Sequence, residues 1–101
     1  MIKRLVKLTF HENNVDNFKE IFEASKYKIR AMSGCQHVEL LQDKTHPHIF
    51  FTLSLWDTEG SLKDYRQSEL FKTTWAKTKI LFSDKPAAWT TEVISTLDIR
   101  L

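Results

Sequence analysis

The stretch Phe50–Trp75, FFTLSLWDTEGSLKDYRQSELFKTTW, decides the fold. Its first seven residues read as a strand with two faces. Phe51, Leu53 and Leu55 line one face, and Phe50, Thr52, Ser54 and Trp56 line the other. Both faces carry bulk, so both are expected to be at least partly buried. The strand breaks at Asp57-Thr58-Glu59-Gly60. Thr58 or Asp57 can cap a short helix near Glu59–Arg66, and Ser68 reads as the N-cap of a second helix from Glu69 to about Leu81. Leu70, Phe71, Trp75, Thr78 and Phe82 mark the inner face of that second helix. Tyr65 and Trp75, two large aromatics with polar tips, are thereby brought back over the strand.

Upstream of this stretch, Ile2–Phe10 reads as a strand with Ile2, Arg4, Val6, Leu8 and Phe10 on one face. Val15–Met32 is helical in pattern, with Val15, Phe18, Ile21, Phe22, Ile29 and Met32 forming an apolar stripe behind an Asn13 or Asn14 cap. Lys26, Lys28 and Arg30 match the dipole at its end, and Gly34 stops it. Cys35–Leu41 reads as a second strand. Strict alternation puts Val38 and Leu40 on one face and Cys35, His37, Glu39 and Leu41 on the other. Gln42–His48, QDKTHPH, is a turn short enough to make strands two and three an antiparallel hairpin. Downstream, Ala87–Leu97 is predicted as a last strand, with Trp89, Thr91, Val93, Ser95 and Leu97 on one side.

The order β-α-β-β-α-β is the split, ferredoxin-like α+β arrangement: an antiparallel sheet with helices on one face. The other face then exposes Leu, Phe and Trp side chains from several strands, more apolar surface than a soluble monomer usually leaves open. The expected partner is a second copy, in a homodimer whose two sheets face one another.

Bulk properties narrow the function classes. A chain of 101 residues is expected to be one domain, residues 1–101. Fifteen basic and 13 acidic residues give a net charge of +2, too balanced to point to nucleic acid or an anionic membrane. The single cysteine, Cys35, suggests a reducing compartment. Charges interrupt the N-terminal apolar run, and no window approaches the roughly 18 apolar residues of a membrane span. A soluble cytoplasmic protein is therefore expected. The two glycines, Gly34 and Gly60, form no phosphate-cradling loop. His46, His48 and Asp43 cluster in the hairpin turn without a second group to complete a metal shell, so no metal is expected. His37 and Glu39, two apart on a strand, could form a proton-transfer pair or simply hydrogen-bond. Tyr65, Trp75 and Phe22 could line an aromatic pocket suited to a flat, polycyclic or quinone-like ligand, or make up the helix-to-sheet core.

The chain resembles the antibiotic biosynthesis monooxygenase family of the dimeric α+β barrel superfamily. The resemblance covers nearly the whole chain. It rests on Gly34-Cys35 after the first helix and on Asp43 with Pro47 in the hairpin. It continues through the strand ending in Trp56, the turn Asp57-Thr58-Glu59, and Tyr65 followed by Ser68-Glu69-Leu70-Phe71. It implies a small oxygenase that needs no cofactor and acts on a phenolic, quinol-like or polycyclic aromatic molecule, with the substrate itself reacting with oxygen. The alternative it leaves open is a non-catalytic ligand-binding or assembly module. A haem-degrading branch of the family has an Asn, a Trp and a haem-ligating His where this chain has Val6, Tyr65 and Trp75, so haem chemistry is disfavoured. On the oxygenase reading, Tyr65 and Trp75 orient the substrate and His37 moves a proton. Arg30 stabilises an oxyanion, and Val6 and Phe22 complete the binding surface.

Overall fold

A computed structural model of the protein describes residues 1–97; the single-domain expectation for 1–101 includes residues 98–101, which lie outside that range. The elements are β1 (Ile2–Thr9), a 3-10 turn (Glu12–Asn14), α1 (Val15–Arg30), β2 (Cys35–Gln42), β3 (Ile49–Trp56), α2 (Glu59–Arg66), α3 (Glu69–Lys79) and β4 (Ala87–Glu92). The strands form one antiparallel sheet in the order β2-β3-β1-β4. This is the expected ferredoxin-like arrangement.

Local chemistry accounts for the element ends. The Thr58 hydroxyl accepts the Ser61 backbone N–H at 3.0 Å, and Ser68 Oγ accepts that of Phe71 at 3.2 Å. Both satisfy a donor that the first turn of a helix leaves unpaired. Asn14 stands at the N-cap of α1 but makes no such bond; its amide donates to the Leu81 carbonyl at 3.3 Å. Helix α1 ends two residues earlier than its apolar stripe suggests. Gly34 lies in the turn beyond it, with φ +83°. That left-handed conformation suits glycine, and a Cβ there would collide with the Ser61 side chain. In the β2–β3 turn, Asp43 Oδ1 accepts the backbone N–H groups of Thr45 and His46 at 2.9 and 2.8 Å.

The helices cover one face of the sheet. There Leu8, Phe10 and Phe50 meet Phe18 and Phe22 of α1 in one buried cluster. Phe10 stacks on Phe18 with centroids 4.2 Å apart. Ile29, Cys35, Trp56 and Leu62 form a second cluster. The opposite face carries Leu5, Phe51, Leu53 and Leu55 on the two central strands, flanked by Leu41 and Trp89. Among the described residues nothing covers it; Trp89 is 50% exposed.

Two expectations require correction. The last strand stops at Glu92 instead of reaching Leu97. Beyond it, the Val93 N–H is tied back to the Met1 carbonyl at 3.0 Å. The β1–β4 ladder ends with the pair Ile2 and Glu92, so no ladder pairing holds Ile94–Leu97 extended. Strict alternation on β2 also fails, because a bulge lies between Cys35 and His37. It turns Cys35 into the helix-side core, 3% exposed, and leaves His37 on the open face.

Candidate functional site

The helix-side face of β3 reads bulky, small, small, bulky: Phe50, Thr52, Ser54, Trp56. Phe50 and Trp56 are fully buried and anchor the two core clusters. Between them the short side chains leave the sheet floor low. Across the ladder Thr52 pairs with Val6, and Ser54 with Arg4. Above this floor lies a cavity of about 330 Å³, within the size range of small-molecule sites. Phe18, Phe22 and Ile29 of α1 form one wall, and Tyr65, Phe71 and Trp75 of α2 and α3 form the other.

The aromatic wall is a connected series. Tyr65 stacks on Trp56 at 5.0 Å, Phe71 meets Tyr65 edge-on at 5.3 Å, and Trp75 stacks on Phe71 at 5.9 Å with planes 9° apart. Such contacts fix ring orientation as well as burying area. Burial pushes the Tyr65 phenol up to about 12, with the nearby Cys35 as a lesser cause. At neutral pH it is therefore a hydrogen-bond donor, not a phenolate.

Two cations also line the cavity. Arg4 reaches it from β1, and Arg66 from the end of α2. Arg4 Nη1 donates to Thr90 Oγ1 at 2.6 Å, and its sheet neighbours Ser54 and Thr90 carry hydroxyls. Burial first, and the charge of Arg66 second, lower the Arg4 pKa from its usual value. Among the described residues neither guanidinium has a carboxylate within salt-bridge distance. Sequence reasoning passed over both. The available signal was Arg4 itself, a cation at an inward position between Ile2 and Val6 on what proves to be a central strand.

The residues singled out from the sequence are divided by the sheet. Val6, Phe22, Tyr65 and Trp75 line the cavity together. His37 does not join them: it lies on the opposite face, with Nε2 3.4 Å from Glu39 Oε1. Arg30 is also outside the lining, its Nη1 donating to the Cys35 carbonyl at 2.6 Å. Among the described residues the lining includes no His, Cys, Asp or Glu. That donor set does not fit a haem iron. Trp75 has no free lone pair for a metal, and the Tyr65 phenol keeps its proton.

The model of the antibiotic biosynthesis monooxygenase family matches residues 1–77, including the cavity floor on β1 and β3, all of α2 and α3 as far as Lys77. The chain belongs to the antibiotic biosynthesis monooxygenase family. Solved structures agree on the fold. An antibiotic biosynthesis monooxygenase superposes with a TM-score of 0.87 at 15% identity, covering 94% of this chain and 100% of the other. A candidate antibiotic biosynthesis monooxygenase from Deinococcus radiodurans gives 0.89 at 15% identity over 99% of both chains. A conserved protein from Methanosarcina mazei Go1 gives 0.86 at 20% identity over 89% of both. At these identities the likeness speaks for the fold alone. No curated protein matches the sequence. Among the described residues no helix is long and apolar enough to cross a membrane.

Proposed function

We propose that this member of the antibiotic biosynthesis monooxygenase family is a cofactor-independent monooxygenase acting on a phenolic or quinol-like, flat polycyclic molecule. The observation that carries the reading is the cavity over Thr52 and Ser54, walled by Tyr65, Phe71 and Trp75. The slot suits a flat aromatic body, and the protonated Tyr65 hydroxyl can donate to a substrate oxygen. Trp75 stacks against the ring system or donates its indole N–H. The electrons come from the substrate. A ring methylene activated by a neighbouring phenol loses four electrons in becoming a carbonyl, and dioxygen takes them up, leaving one oxygen in the carbonyl and the other in water. The protein holds the reactive ring in a dry, oriented slot.

The working unit on this reading is a homodimer joined through the open sheet face. Leu5, Phe51, Leu53, Leu55 and Trp89 form an apolar patch at the centre of that face, bordered by Lys3, Lys7, His37 and Glu39, which a second copy would bury. The alternative, a ligand-binding module without turnover, differs in one measurable respect. Oxygen uptake with a panel of hydroquinones and anthrones, without added metal or flavin, supports catalysis. Tyr65→Phe with Trp75→Phe should abolish the uptake while the protein stays folded. Full activity in that double variant rules out the assigned roles.

A further inference from the structure

We propose that Arg4 and Arg66 form an anion-binding end of the cavity, so that its ligand is a flat aromatic molecule carrying one oxyanion, either a carboxylate or an ionised phenol. The inference rests on the oxygenase reading only for the aromatic body of the ligand; the charge follows from the site itself. Two like charges converge on one cavity from positions 62 residues apart in the chain. Arg4 extends from the helix-side face of a central strand, where a cation is costly unless paired. Its ladder neighbours supply hydroxyls where a carboxylate would be its ordinary partner. The bond to Thr90 uses Nη1 and leaves the rest of the guanidinium fork available. A cation ending α2 also suits the helix dipole, which accounts for Arg66 but not for Arg4.

The lining gives a second reason. Among the described residues it contains no His, Asp or Glu that could take a proton from a neutral substrate. A site with two cations and no base suits a ligand that arrives ionised. Arg4 and Arg66 would hold the oxyanion by charge-assisted hydrogen bonds, and the aromatic wall would hold the rings. Selection would fall on the anionic edge of the molecule.

The test is binding without turnover, so it stands whether or not oxygen uptake is found. Isothermal titration calorimetry compares 2-naphthoate with the uncharged, near-isosteric 2-naphthamide on the wild-type protein. The carboxylate should bind about tenfold tighter or more, the range expected of hydrogen bonds to charged groups. A second arm uses 6-cyano-2-naphthol below and above its own ionisation, to separate a phenolate preference from a carboxylate one. Arg4→Gln and Arg66→Gln should each reduce the preference for the anion, and the double variant should abolish it, while 2-naphthamide affinity stays unchanged. Arg66 is exposed, so Arg66→Gln remains informative if the Arg4 variant does not fold. A preference for either anion that the variants remove supports the proposal and names the oxyanion. Equal affinity for the charged and neutral members of both pairs overturns it, as does an anion preference that survives in the folded variants.

Discussion

Replacing Tyr65 by Phe tests both the burial of the phenol and its protonated state in the cavity. In the folded protein the phenol is pushed up to about 12, against an ordinary value of 10.0. An acid raised in this way keeps its proton longer when folded than when unfolded. Between pH 10 and 12 the native state therefore binds more protons, and stability falls as pH rises through that window. A two-unit difference predicts a loss of about 1.4 kcal/mol at pH 11 relative to pH 8, tending to about 2.7 kcal/mol above both values. Tyr65→Phe removes this dependence and leaves the titration of every other group in place. Urea unfolding of both proteins should be run at matched protomer concentration from pH 8 to 11, because a dimer's stability depends on concentration. The gap between the two curves should shift by about 1.4 kcal/mol in favour of the variant at pH 11. Phenolate absorbance should lose a transition near 12 in the variant. Parallel stability curves across the window would refute the reasoning and remove the basis for treating Tyr65 as a buried neutral donor.

Three further outcomes are expected. Gly34→Ala should destabilise the protein by about 2–4 kcal/mol, combining a left-handed backbone cost with overpacking against Ser61; in a Ser61→Gly background part of the loss should return, measured by thermal unfolding. Leu53→Glu, at the centre of the open face, should convert a dimer into a folded monomer in sedimentation velocity; an unchanged dimer would locate the interface elsewhere. Burial raises the Cys35 thiol despite the opposing backbone hydrogen bond at His37 and the Arg30 charge. Native protein should therefore react with iodoacetamide far more slowly than urea-unfolded protein near pH 8, with mass spectrometry as the readout.

The sequence by itself determined the element order, the cap at Ser68, a cap at Asp57 or Thr58, and the two faces of β3. These features depend on neighbours within a few residues, where periodicity and capping chemistry operate. It also placed Val6, Phe22, Tyr65 and Trp75 on inward faces, and these four do line one cavity. Only the tertiary structure decided the rest. A single bulge on β2 turned Cys35 to the helix side, away from the face that His37, Glu39 and Leu41 keep, and the order of the sheet put that face, with the presumed proton carrier His37, opposite the cavity. Period-two counting cannot detect such an insertion, because one extra residue flips every side chain beyond it. Arg4 and Arg66 acquired a shared meaning only when the fold brought the central strand β1 and the end of α2 to one cavity. The run Phe50, Thr52, Ser54, Trp56 first reads as one face of a core strand. In the fold, its two short members sit between two buried rings and open the floor of the cavity. That distinction depends on what packs above the strand, which no local pattern records.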